Sequence, residues 1–193
     1  MGVASSVAVV IPTYNNLHEL IGCLRALSQQ TYQDFTAYVC VDGSTDGTLD
    51  YLTSYAPPFV RVLTHPDGRN KGRNATRNLV LPYLEAHTWV AFLDSDSVPL
   101  PGWLEAYLKS ISSPKEVLVG RVLYYSLEGP NRWTSYLQWR EDTLQKRPLT
   151  AKHFRTGNAF LPSAAFLEVG GMDAKIWRYG LGDVEMGYRL EER

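Results

Sequence analysis

No apolar run in this chain approaches the roughly 18 residues that a membrane-crossing helix requires. The opening residues, Met1-Gly2-Val3-Ala4-Ser5-Ser6, have neither the basic stretch nor the apolar core of a secretory leader. Met1-Gly2 with Ser6 matches a myristoylation pattern only in outline. Cysteine is scarce: Cys23 and Cys40 lie inside apolar stretches with no C-x-x-C spacing, which predicts buried free thiols. A reducing, cytoplasmic setting is the expectation, with peripheral contact at a membrane face compatible with it. Charge of one sign is also missing. A formal net charge of -1 provides no basic field to gather nucleic acid, so an anionic substrate needs a metal or local donors. No G-x-x-x-x-G-K-[ST] occurs, which excludes a P-loop NTPase. The loop Pro12-Thr13-Tyr14-Asn15-Asn16 holds no Lys or Arg. A nucleotidyltransferase gripping a triphosphate would need such cations there.

What is present fits a globular α/β protein, with 45% hydrophobic and 20% charged residues over 193 positions. Val7 to Ile11 reads as a buried strand. Asn16 with Glu19 three residues on reads as a capping box opening a helix with the stripe Leu17, Leu20, Ile21, Leu24 and Leu27. Further strands are expected at Phe35 to Val41, Phe59 to Leu63 and Trp89 to Leu93. Between the last two, Lys71 to Ala86 reads as a helix interrupted near Pro82. Strands alternating with helices favour right-handed crossovers and a parallel sheet, whose ligands collect at the carboxyl ends of the strands. Three of these strands end in polar clusters: Pro12-Thr13-Tyr14-Asn15, Asp42-Gly43-Ser44 and Asp94-Ser95-Asp96.

The second half predicts a strand from Val117 to Tyr125, a helix from Asn131 to Gln145 and a short strand from Gly157 to Leu161. A helix from Ser163 to Val169 follows. Trp133, Tyr136 and Trp139 share one helix face and are expected in the core and the cleft wall. No linker or repeat divides the chain. Residues 1–193 are therefore expected to form one domain, with a nucleotide-binding half over about 1–100 and an acceptor and base half over about 101–193.

Asp94-Ser95-Asp96 at a strand end supplies hard oxygen ligands suited to Mg²⁺ or Mn²⁺ bridging protein and phosphate. Together with Val9 to Asn16, Val41 to Thr48, Asn70-Lys71-Gly72, Arg77-Asn78, Gly170-Gly171-Met172-Asp173 and Tyr179 to Leu190, it resembles inverting glycosyltransferases of family 2. That family has the GT-A fold, a Rossmann-like, mostly parallel central sheet flanked by helices. The resemblance covers residues 7–190.

It implies that a nucleotide-sugar donor, most often UDP-linked, transfers its sugar to a hydroxyl of a saccharide, lipid-linked or protein-linked acceptor, as in polysaccharide biosynthesis. Pro12, Thr13 and Tyr14 would meet the base, and Asp42 would accept from its imide. Asn70, Gly72 and Arg77 would lie near ribose and diphosphate. Asp94 would contact ribose or metal, Ser95 would lie beside it, and Asp96 would hold a Mn²⁺ or Mg²⁺ ion. Asn158 would face donor sugar or acceptor. Asp183 aligns with the catalytic base. Gly182 stands where the family usually has Glu, which makes Glu185 the second carboxylate to weigh. Relatives commonly continue past the base helix and supply a metal-binding His. His153 could substitute for it, and because the chain stops at Arg193, an inactive or truncated nucleotide-binding relative is the alternative expectation.

Overall fold

The computed structural model describes residues 6–126, 128–144, 146, 149–176 and 180–193. Met1 to Ser5, Gln145 and Tyr179, which entered the sequence reading, lie outside the described residues. Strands β1 (Val7–Thr13), β2 (Phe35–Val41), β3 (Val60–Thr64), β4 (Trp89–Leu93), β5 (Leu118–Val119) and β6 (Asn158–Pro162) form one six-stranded sheet in the order β3-β2-β1-β4-β6-β5. The pairs β1–β2, β2–β3 and β1–β4 are parallel. β6 and β5 close the far edge antiparallel, so both halves of the chain build the same sheet.

β1 is fully buried from Val7 to Ile11 because both faces of the sheet are covered, the usual reason that a parallel strand is continuously apolar. Its side chains alternate. Val7, Val9 and Ile11 pack with Leu20, Cys23, Leu24 and Leu27 of α1 (Leu17–Leu27), with Leu52 of α2 (Thr48–Tyr55), and with Leu104 and Tyr107 of α4 (Trp103–Ser110). Ala8 and Val10 pack on the opposite face. There they meet Val80 and Leu84 of a 3₁₀ helix (Asn78–Ala86), Phe166 of α6 (Ser163–Glu168) and Met186 of α7 (Leu181–Glu191). The two remaining helices are α3 (Arg73–Arg77) and α5 (Arg132–Leu144). Cys23 and Cys40 are free and buried, and burial pushes both thiols up to about 12. No helix among the described residues is long and apolar enough to cross a membrane.

Several local expectations need correction. The capping box at Asn16 does not form. Asp46 accepts from the Leu17 amide at 2.9 Å instead, and the Asn16 amide donates to Ser95 Oγ at 3.0 Å. The helix expected over Lys71 to Ala86 is α3 followed by the 3₁₀ segment that contains Pro82, whose missing N–H cannot continue an α-helical ladder. The strand expected over Val117 to Tyr125 shrinks to Leu118–Val119. Beyond it the ladder donors are diverted: Val122 N–H goes to Glu141 Oε1 at 3.2 Å and Tyr124 N–H to Gln138 Oε1 at 3.1 Å. Trp133, Tyr136 and Trp139 are not core, being 65%, 47% and 63% exposed. The buried face of α5 is polar and centres on Glu141. α7 begins at Leu181, two residues before Asp183.

Two helical glycines make opposite demands. A Cβ at Gly22 in α1 would meet nothing within 4 Å, whereas one at Gly187 in α7 would run into the Ala151 carbonyl and lie 2.9 Å from Phe154 Cβ. Gly22→Ala should therefore raise unfolding stability by up to about 1 kcal/mol through helix propensity. Gly187→Ala should lower it by about 1–3 kcal/mol through overpacking, despite the same propensity gain. Urea unfolding of both variants reads the two signs, and a stabilised Gly187→Ala would refute the close packing of α7 on residues 151–154.

Candidate functional site

The sheet order places the site. From β1 the chain builds outward through β2 and β3, then returns to add β4 on the other side of β1. Loops leaving β1 and β4 therefore diverge, and the crevice between them at the strand ends is where open α/β sheets bind ligands. A cleft of about 620 Å³ lies there, within the usual range for small-molecule sites. Its walls include Pro12, Thr13 and Tyr14 after β1, Asp42 after β2, Asp94, Ser95 and Asp96 after β4, and Asp183 on α7.

Asp42 is 4% exposed and holds three protein donors. One oxygen accepts from Lys71 N–H at 2.7 Å, the other from Gly72 N–H at 3.1 Å. His65 Nε2 lies 3.2 Å from the first and 3.0 Å from Thr76 Oγ1. The Thr76 hydroxyl donates to the Gly72 carbonyl at 2.9 Å, so it can only accept from His65. The geometry thus puts a proton on His65 Nε2, shared between Thr76 and Asp42. Gly43 lets the loop close: at φ +70°, it holds residues 68–70 so near that a Cβ would lie 2.6 Å from Asn70 N. Asn70 and Gly72 lie outside the cleft lining, and Asn70 Oδ1 accepts from Gly72 N–H at 3.2 Å.

Arg77 is 3% exposed and lines the cleft floor. Its Nη2 donates to Asp94 Oδ1 at 2.8 Å, while Nε and Nη1 find no protein partner. Thr13 Oγ1 is likewise buried without a partner. Such orphaned groups in a cleft wall are places where a ligand or water can complete the hydrogen bonding. Tyr14 is 52% exposed beside them.

Asp96 stands at the cleft surface. Burial of its carboxyl, then the charge of Asp94, raises its pKa above the ordinary carboxylate range. Asp94 and Asp96 together offer hard carboxylate oxygens of the kind a divalent cation takes. Among the described residues no group of three or more His, Cys, Asp or Glu is placed to hold a metal. Mg²⁺ commonly takes only one or two carboxylates and completes its shell with phosphate and water, so Asp94 and Asp96 suit an ion that arrives with its substrate. His153 is not in the cleft lining; its Nδ1 accepts from Thr150 N–H at 2.9 Å.

The other wall comes from the second half of the chain. Asp183 Oδ1 accepts from the buried Thr156 hydroxyl at 2.7 Å, which orients the carboxylate and leaves its second oxygen to the cleft. Glu185 does not line the cleft. It pairs with Arg189, whose Nη1 also donates to the carbonyls of Val169 and Gly171 at 2.6 and 2.8 Å. Asn158 lines the cleft with its amide held by the protein: Oδ1 accepts from Trp103 Nε1 and Tyr107 OH at 2.8 and 2.6 Å, and one N–H of Nδ2 donates to the Arg121 carbonyl at 3.1 Å. Arg155 reaches the cleft backed by a bidentate pair with fully buried Glu141, at 2.6 and 3.1 Å. Burial works to lower the Arg155 pKa, but the hydrogen bonds and charge of Glu141 override it and the net shift is upward. His65, Thr156, Arg155 and Glu141 were missed from sequence, since no local pattern marks their distant partners.

The family model for glycosyl transferase family 2 matches residues 8–170. Validoxylamine A glucosyltransferase of Streptomyces hygroscopicus subsp. jinggangensis is 28% identical over 222 residues, spanning 95% of this chain and 50% of that protein. The chain spans about half the length of such relatives. S. aureus TarS 1-349, solved with UDP-GlcNAc, superposes with a TM-score of 0.74 at 19% identity, over 96% of this chain and 53% of that one. The mannosyltransferase PcManGT from Pyrobaculum calidifontis, solved with GDP-Man and Mn²⁺, gives 0.67 at 17% identity, over 95% and 51%. The fold is that of GT-A glycosyltransferases.

A carboxyl whose folded pKa lies above its unfolded value costs stability once ionised, above that pKa, and the cost vanishes as pH falls through it. Asp96→Asn should therefore unfold at a higher temperature than the parent near neutrality, with the gap closing as the carboxyl protonates. Thermal melts across the acid range check the sign. A variant less stable at every pH would overturn the electrostatic account of Asp96.

Proposed function

The chain belongs to glycosyl transferase family 2, and from that membership we propose that it moves a sugar from a nucleoside-diphosphate sugar to an acceptor hydroxyl, with inversion at the anomeric carbon. The observation that carries the reading is the cleft itself. A strand-end carboxylate pair faces, across one cavity, an Asp oriented by a buried hydroxyl. In this reading residues 1–193 act as one transferase domain, and UDP is the nucleotide. TarS was solved with UDP-GlcNAc and PcManGT with GDP-Man, so the base is the point that needs measurement.

The donor base stacks on the exposed Tyr14 ring, and backbone groups at Pro12 and Thr13 meet its edge. Asp42 holds the loop 65–72 against the nucleotide and has a lone pair to spare for an imide N–H. Arg77 Nη1 and Thr13 Oγ1, both without protein partners, take polar groups of the bound donor. Asp94 and Asp96 are the residues that would hold Mn²⁺ or Mg²⁺, and such an ion would supply charge neutralisation for the departing diphosphate. Asp183 then takes the proton of the acceptor hydroxyl as that oxygen attacks the anomeric carbon. Thr156 keeps one Asp183 oxygen occupied, so the proton is received by the other. Glu185, paired with Arg189 outside the cleft lining, takes no proton.

Two measurements test this. Calorimetry of UDP with Mn²⁺ should show binding that weakens strongly with chelator and in Asp96→Ala, and a clear preference for GDP would replace the base assignment. Asp183→Asn should keep UDP affinity yet lower transfer by about 10²-fold or more, while Glu185→Gln costs much less. The reverse ranking would move the base to Glu185. Intact donor binding with no turnover from any donor would favour a nucleotide-binding domain without transfer.

A further inference from the structure

The cleft carries charge of both signs along its length. Asp42, Asp94 and Asp96 stand with Arg73 and Arg77 at the strand ends, whereas the second half contributes Arg140, Lys152 and Arg155 together with Asp183. Arg155 is balanced by Glu141 behind it. Among the described residues Arg140 and Lys152 have no ion-pair partner, and both are exposed. Two unmatched cations at a cleft mouth form an electrostatic focus for an anion in an otherwise near-neutral protein.

Arg140 also ends a second feature. It sits four residues after Tyr136 and seven after Trp133, on the same side of α5. Trp133, Tyr136 and Trp139 form an outward ladder, with ring centroids 5.7 and 6.1 Å apart and planes inclined by 28° and 32°. The stripe from Trp133 to Arg140 is about 10 Å long by helical rise, enough for more than one sugar ring. Broad aromatic faces suit the apolar faces of pyranose rings, and their polar tips suit the hydroxyl rims. Trp and Tyr also favour membrane interfaces. Here, however, the stripe runs directly into the cleft wall where a transferred sugar must arrive, which favours a saccharide as its occupant.

Resting on the transferase reading above, we propose that the acceptor is an anionic saccharide whose phosphate is met by Arg140 and Lys152 and whose sugar chain lies along Trp133, Tyr136 and Trp139. The shared chemistry is a phosphorylated glycan, whether free or lipid-linked.

The test is an array presenting the same saccharides in neutral, phosphorylated and polyprenyl-diphosphate-linked forms, probed with the intact chain with and without UDP and Mn²⁺. Phosphorylated forms should be retained about ten-fold or more over their neutral counterparts, the weight of one charge-assisted hydrogen bond. That preference should vanish in the double variant Arg140→Gln, Lys152→Gln, and overall retention should fall in Trp139→Ala. Equal retention with and without the lipid identifies the sugar phosphate as the ligand, and retention only with the lipid identifies the lipid-linked form. Equal retention of neutral forms, or no retention of any form, overturns the proposal. A matching loss of UDP affinity in the double variant would give these cations to the donor and also overturn it. Vesicles of phosphatidylglycerol that bind the parent but not Trp139→Ala, with glycan retention unchanged, would assign the stripe to a membrane and overturn it as well. Failure of UDP to bind would count against the donor reading alone, because the array without nucleotide still reads the anion preference.

Discussion

The strand-end side of the cleft depends on one buried carboxylate. Asp42 at the end of β2 takes the amides of Lys71 and Gly72 and the imidazole of His65, and so holds a loop that lacks regular structure of its own. A buried carboxylate needs donors, and buried amides need acceptors, so each side resolves the other's desolvation cost. Gly72 is also the residue from which α3 starts. Where Asp42 holds Gly72 therefore decides where α3 points. Arg77, at the far end of α3, reaches Asp94 after β4. One sequence of contacts thus ties the end of β2 to the end of β4 around β1.

The same short helix reaches the other wall. Asn74 is 5% exposed and donates to the carbonyls of Asp173 and Ile176, both at 3.0 Å. Asn78 exchanges two hydrogen bonds with the backbone of Met172, at 2.7 and 2.8 Å. Segment 171–176 precedes α7, and Gly182 of α7 packs so closely on Asn74 that a side chain there would collide with its amide. The absence of a carboxylate at 182 is therefore a packing requirement of this molecule. It fixes the distance between α3 and the helix that carries Asp183. The strand-end carboxylates and Asp183 are positioned by one framework, so disturbing Asn74 would be felt at both.

What was legible in the sequence follows from the range of the interactions. β1, β2 and β4 were readable because a doubly covered parallel strand is apolar along nearly its whole length, and Asp42, Asp94 and Asp96 stood out because such strands end in turns. His65 and Thr156 were not readable, since their meaning lies in partners 11 and 27 residues away in sequence. Asn74 is more distant still, 99 residues from Asp173. The aromatics of α5 were misread for another reason. A stripe at helical spacing defines a face but does not say whether it looks inward, and here the core-facing side is built around Glu141. The strand expected over Val117 to Tyr125 failed for a linked reason, because side chains of that same polar face captured the amides of Val122 and Tyr124.

The inverted helix makes the Glu141–Arg155 pair more than a packing detail. A buried ion pair is weak support for stability, since well-packed apolar residues of similar volume often do as well. Its geometry has another effect. Glu141 is fully buried and grips Arg155 in bidentate fashion, while Arg155 keeps a quarter of its side chain open to the cleft. Glu141 also takes the Val122 amide, so one carboxylate sets both a cation of the wall and the backbone beside it. Two apolar residues could fill that volume, but they could not hold a guanidinium at a fixed orientation in the cleft wall. The desolvation cost of the pair is better explained by what it positions than by what it stabilises.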